Sequence, residues 1–174
     1  MEVAQPFYLY IATGLSPDDK KEVRDQMIKA VEVLHNEKNM IHGDIKPANF
    51  LKCSDGRIVL FDFESARLMD EDHHAWMDGD GQRTSGYYSS ECLNRCPGSY
   101  NISPTKFDDQ YALAFSVWEL YTGKISLSEF PYGGDNLMDY IKGGRTVDVM
   151  EVEDLETREW IAKMLREGDA NFTI

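Results

Sequence analysis

Residues 41–52, "IHGDIKPANFLK", place a histidine, an aspartate, a lysine and an asparagine within eight positions between two apolar ends. The stretch runs directly into a turn signal. Asp55-Gly56 stands between "NFLK" and "RIVLFDF", and a short polar turn between apolar, β-prone runs predicts a hairpin with a strand on each side. Asn49 and Asp62 therefore fall on either side of one hairpin, with Asp44 and Lys46 just ahead of it.

Upstream, Phe7 to Ile11, "FYLYI", reads as a short strand closed by Thr13-Gly14. Ser16, Pro17, Asp18 and Asp19 then begin a helix: a capping hydroxyl, a proline at the first helical position, and acids at the positive end of the dipole. Val23, Met27, Ala30, Val31 and Leu34 recur at helical spacing and give it a buried face as far as about His35. Downstream, residues 69–86 are rich in Asp and Gly without an apolar period, so a long exposed loop is expected. Asp108 to Thr122 is apolar nearly all round, the mark of a helix inside a core, and Gly123 ends it. A short helix, "DNLMDYI", lies between Pro131-Tyr132-Gly133-Gly134 and Gly143-Gly144. A last helix is predicted from about Asp154 to Arg166, with Trp160, Ile161, Met164 and Leu165 inward and Gly168 as its stop.

The 174 residues suffice for one sizeable core, and 42% apolar with 28% charged residues is the composition of a folded chain. A net charge of −13 argues against a nucleic-acid backbone or an anionic membrane as partner, because both would repel this surface. Cys53, Cys92 and Cys96 are an odd number without paired C-x-x-C spacing, which predicts free thiols in a reducing compartment. No run of about 18 apolar residues and no basic leader is present. Neither membrane insertion nor secretion is indicated, and a cytoplasmic or nuclear place is expected. His73-His74, in an acidic loop, reads as solvated rather than as a metal pair.

"HGDIKPAN", then "FDFE" with its aspartate 18 residues after the first, then "TSGYYSSE", then "DDQYALA…WELYTG" together resemble the C-terminal lobe of a protein kinase. The resemblance covers about residues 7–167, and a conjunction of motifs in order is far more specific than any one of them. It implies a mainly α (α+β) fold in one domain over residues 1–174: a helical bundle with short β-hairpins at the catalytic loop. Within it lie a hinge-like strand at 7–11, a catalytic loop at 42–51, an activation-loop-like segment at 62–91 and a helical subdomain at 105–167.

It also implies roles. Asp44 would accept the proton of a substrate hydroxyl and Lys46 would offset charge on the moving phosphoryl group. Asn49 and Asp62 would offer hard oxygen ligands to Mg2+, and Leu51 would sit under the base of ATP. Thr84, Tyr87 and Glu91 would shape the groove for a substrate peptide. His42 and Phe63 would be core packing, and Asp109 would anchor the loop from below; it also reads as an N-cap of its helix, and the two roles can coexist.

Several features depart from the family. No G-x-G-x-x-G or V-A-I-K-like string occurs, so the small lobe is expected to be missing and the isolated chain to be inactive or weak. Gly43 stands where the family has arginine, and Glu64 where D-F-G has glycine. An apolar rim at Phe7, Tyr8, Leu9, Leu51 and Phe63 would then be exposed, and a partner protein or a second copy is expected over it. Three functions follow: a protein serine/threonine kinase-type phosphotransferase, a pseudokinase that binds or decoys protein partners, and a small-molecule kinase akin to aminoglycoside and choline phosphotransferases. Lys46-Pro47 and the Tyr87-to-Glu91 segment favour protein substrates over small molecules.

Overall fold

The structure, a computed structural model, describes residues 5–6, 14–70, 85–95, 104–126, 135–144 and 146–168. The strand expected at Phe7–Ile11, most of the loop at 69–86 with His73, His74 and Thr84, Cys96, and Pro131–Gly134 lie outside the described residues.

Helix α1, Pro17–Asn36, starts as its sequence dictates: Ser16 is extended and its hydroxyl accepts the Asp19 N–H at 3.2 Å. Val23, Met27, Val31 and Leu34 are buried on its inner face, joined by Arg24 and His35, which no apolar pattern would select. After α1 the chain forms β2, Met40–Ile41, then the loop at 42–49, then β3, Phe50–Lys52. The Asp55-Gly56 turn, with Gly56 at φ +89°, returns it as β4, Ile58–Leu60. Phe50 pairs with Leu60 and Leu51 with Val59, while β1, Gln5–Pro6, adds to the outer edge of β3. The Gln26 side chain accepts the Ile58 N–H at 2.7 Å and ties the hairpin to α1. A second pair joins β2 to β5, Arg67–Leu68. The loop at 42–49 is thus held at both ends by antiparallel pairs.

The rest is helical: α2, Ser90–Arg95; α3, Lys106–Thr122; α4, Asp135–Lys142; and α5, Leu155–Gly168. Helix α3 is the central element, buried at nearly every position from Asp108 to Leu120, and it packs against α5 and α1. Its side chains account for the apolar composition: Tyr111, Leu113, Phe115, Val117 and Leu120 meet Met27, Val31, Phe50, Ile161 and Leu165 in one core. The helix begins two residues before the predicted Asp108. Thr105 is its N-cap, and the Asp108 carboxylate reaches back to the Thr105 N–H at 2.7 Å. Asp109 is therefore not the cap. Gly123 ends the helix in the left-handed region, φ +69°. Arg24 joins α1 to the start of α5, donating to Thr157 Oγ1 at 2.6 Å and to Glu156 Oε1 at 3.0 Å. Among the described residues, Cys53 and Cys92 are buried and form no disulfide. Among the described residues no helix is long and apolar enough to cross a membrane.

Helix α5 has Gly168 as its last described residue, so the glycine expected to stop the helix lies within its final turn. A Cβ there would meet Tyr111 Cβ at 2.6 Å and Phe107 O at 2.9 Å, so only glycine lets α5 approach α3 this closely. Gly168→Ala should lower stability by about 1–3 kcal/mol through overpacking, against the gain of up to about 1 kcal/mol that helix propensity alone gives alanine. A denaturant midpoint that stays put or rises in the variant contradicts this close approach.

Candidate functional site

The loop between β2 and β3 is built around a buried carboxylate. Asp109, one turn inside α3 and 2% exposed, accepts the His42 N–H at Oδ2 (2.7 Å) and the Gly43 N–H at Oδ1 (2.9 Å). His35, from the end of α1, places Nε2 2.9 Å from the same Oδ2. Gly43 lies at φ +79°, a left-handed conformation that a side chain resists. The residue that stands in place of the family's arginine is thus the one this backbone favours.

His42 is fully buried. Its Nε2 lies 3.0 Å from the Phe61 carbonyl, which can only accept, so the proton sits on Nε2. Nδ1 is then the acceptor for the Asp44 N–H, at 3.3 Å. One neutral imidazole therefore links the loop to the chain that leaves β4 toward Asp62.

Asp44, Lys46 and Asn49 converge. Lys46 Nζ is 2.6 Å from Asp44 Oδ2, and Asn49 Nδ2 donates to the Asp44 carbonyl at 2.7 Å and to Oδ2 at 3.1 Å. The Asp44 side chain is 9% exposed and that of Lys46 22%. In so sheltered a place their attraction is little screened. The short 3-10 turn Pro47–Asn49 aims Asn49 back at Asp44, and the Phe61 N–H donates to the Asn49 carbonyl at 3.0 Å. Asp62, next in the chain, is exposed at φ +64°, a left-handed conformation that aspartate tolerates better than most residues.

Leu51 lies half-buried on β3. Phe63 is not core packing: it is 48% exposed, with its ring centroid 5.2 Å from that of His42. It reads as core in the sequence because it ends an apolar run, but the turn at Phe63–Ser65 swings it outward. Glu91 sits in the first turn of α2. Tyr87 points inward, donating its hydroxyl to Glu119 Oε1 at 3.0 Å. That oxygen also accepts the Ser126 N–H at 2.8 Å and the Ser126 hydroxyl at 2.5 Å. Tyr87, Tyr88, Gly43, Asp44, Asp108 and Asp109 line a cavity of about 20 Å³, room for one water beside Asp44.

Burial raises the Tyr87 hydroxyl well above its ordinary range, helped by the negative Glu119 beside it. Burial also raises Glu119 above its usual 4.5, and its hydrogen bonds from Ser126 and Tyr87 oppose that shift in part. A carboxyl with a raised folded pKa holds its proton better in the native state. Its stabilising effect is complete below the unfolded pKa and disappears as pH rises through the folded one. Thermal melts should therefore lose stability from about pH 4.5 upward, and Glu119→Gln, which cannot ionise, should flatten that slope. Equal slopes for the two proteins between pH 5 and 8 rule this out.

A family model described as the protein kinase domain matches residues 4–166. The chain belongs to the protein kinase family. It is 28% identical over 154 residues to the cysteine-rich receptor-like protein kinase 45 of Arabidopsis thaliana, covering 84% of this chain and 41% of that protein. It is 27% identical over 117 residues to the Arabidopsis 3-phosphoinositide-dependent protein kinase 1, covering 63% of this chain and 22% of the relative. To the rat protein of the same name it is 30% identical over 113 residues, covering 65% of this chain and 18% of the relative. The chain thus spans less than half the length of these curated relatives.

Within this kinase fold, the donor set suits a hard cation. Asn49 commits its Nδ2 to Asp44, which leaves Oδ1 as the atom of that amide able to coordinate, and Asp62 adds an exposed carboxylate. Among the described residues no group of three or more His, Cys, Asp or Glu forms a self-sufficient metal cage. Sequence reasoning passed over His35, Glu119 and Ser126. Of these only Glu119 carried a signal, as the lone charge in "ALAFSVWELY".

Proposed function

We propose that this chain transfers a phosphoryl group from ATP to a serine or threonine hydroxyl of a protein substrate, as part of a protein kinase. The observation that carries the reading is the cluster at Asp44, where one sheltered carboxylate takes Lys46 and Asn49 on the same oxygen. Asp44 accepts the proton of the substrate hydroxyl as the oxygen attacks. Lys46, held beside it, offsets negative charge that gathers on the transferring group. Asn49 and Asp62 hold Mg2+, whose chemistry is to bind and neutralise the nucleotide's phosphate oxygens. Leu51 packs under the base, and Thr84, Tyr87 and Glu91 shape the groove for the substrate chain.

Binding of protein partners without transfer is the second reading. Glu64, exposed directly after Asp62 and Phe63, favours it by adding negative charge where the nucleotide's phosphates would lie. A thermal melt with and without Mg-ATP separates the two readings. ATP-dependent stabilisation that disappears in Asp62→Asn, which keeps the left-handed backbone and removes the charge, supports the first. An unchanged melting temperature at millimolar Mg-ATP overturns it. Incorporation of labelled phosphate into a generic protein but not into amino alcohols excludes a small-molecule kinase.

A further inference from the structure

We infer that Asp108 is a positioning residue for the substrate groove, acting through Ser89 to fix the segment from Tyr87 to Glu91 beside Asp44. As a statement about substrate binding this rests on the phosphotransfer reading; as a statement about the segment it does not. One carboxylate serves two helix starts. Its Oδ2 accepts the Thr105 N–H at 2.7 Å and the Thr105 hydroxyl at 3.0 Å, at the start of α3. Its Oδ1 faces the Ser89 hydroxyl at 3.4 Å, and Ser89 Oγ in turn accepts the Cys92 N–H at 3.0 Å. Ser89, the residue before α2, thus caps that helix.

A serine hydroxyl has one proton. Directed at Asp108, it leaves a lone pair facing the Cys92 N–H; turned elsewhere, it does not. A gap of 3.4 Å is long for two oxygens, but Ser89 is 1% and Asp108 9% exposed, so water hardly competes for either group. Helix α2 is only six residues long, too short to persist without its cap and its packing. The kinase signature carries A-P-E where this chain has Ser89-Ser90-Glu91, and alanine has no hydroxyl to offer. The link to Asp108 therefore belongs to this chain's own residues.

Tyr87 is already held by Glu119, toward the far end of the buried stretch of α3. With Ser89 held by Asp108 at the near end, the segment is fastened to one rigid helix at two points. Between the fastenings lies Tyr88, which lines the small cavity beside Asp44 together with Asp108. A single fastening at Tyr87 would let the segment pivot. The second one sets its distance from Asp44.

Hydrogen exchange at the Cys92 amide, followed by NMR, tests the inference without reference to activity. Asp108→Asn keeps an oxygen for Thr105 and sets an NH2 opposite the Ser89 hydroxyl, while the amide's own acceptor stays in place. The Cys92 amide should nevertheless exchange about tenfold faster, with amides in the middle of α3 unchanged. A native rate there overturns the inference. Should Asp108→Asn not fold, Asp108→Glu is read in its place, since the longer acid still closes a capping box with Thr105 but carries its carboxylate off Ser89. In a phosphotransfer assay, Asp108→Asn and Ser89→Ala should each raise KM for a protein substrate about tenfold and leave KM for ATP unchanged. The double variant should be no worse than about twofold beyond either single one, because both remove the same link. Effects that multiply mean that the two residues act separately, which also overturns the inference. A native protein with no transferase activity removes the meaning for substrate binding, and the exchange rate of the Cys92 amide then decides the inference alone.

Discussion

Asp109→Ala is expected to cost the protein about 3–5 kcal/mol, the largest loss of stability from any single change at this site. The substitution removes the shared acceptor of the His42 and Gly43 amides and leaves His35 without its partner, all in a buried setting. Each buried donor left without an acceptor costs about 1–3 kcal/mol, and removing one member of a buried polar pair costs about 3–5 kcal/mol. At about 2–4 °C per kcal/mol for a chain of this size, the melting temperature should fall by about 6–20 °C. Asp109→Asn should fall between the variant and the native protein, because it keeps one acceptor but turns an NH2 toward an amide donor. A loss below about 1 kcal/mol for Asp109→Ala would mean that the loop is held by something other than this carboxylate.

Asp44→Asn is expected to do the opposite: little to stability and most to activity. Asparagine has nearly the same shape and retains an oxygen for Lys46 and Asn49, so the melting temperature should stay within a few degrees of the native value. It cannot take a proton from a hydroxyl. Phosphate transfer to a protein substrate should drop about 10²–10⁴-fold, the usual contribution of a positioned general base. Stabilisation by Mg-ATP should persist, since Asn49 and Asp62 are untouched. Transfer within threefold of the native rate would remove Asp44 from the mechanism and leave the cluster a structural one.

Much of this architecture was legible in the chain because it depends on neighbours in sequence. Ser16, Pro17 and Asp19 specify the start of α1 within one turn, and Asp55-Gly56 specifies a hairpin whose strands are adjacent by construction. The all-apolar run from Tyr111 to Leu120 specified a buried helix, and α3 is one. The capping pair Thr105 and Asp108 was legible in principle, as a hydroxyl three residues ahead of an acid, but the adjacent Asp109 obscured it. Phe63 and Gly168 were read by residue type, as core and as stop. Each turned out to depend on geometry: one on the turn after Asp62, the other on how near α5 comes to Tyr111.

The sequence by itself determined which groups are present at the loop and in what order: Asp44, Lys46, Asn49, and Asp62 one hairpin later. Their spacing along the chain is enough, because a loop of eight residues and a tight turn leave little freedom to separate them. Only the tertiary structure decided what holds them. The partners of Asp109 lie 74, 67 and 66 residues away, and Tyr87 meets Glu119 across 32. No local pattern encodes such pairs, because they form only when α3 passes beneath the loop and buries its carboxylates out of reach of water. Burial turns each of those charges from a solvated group into one that must be matched, and the matching fixes the loop.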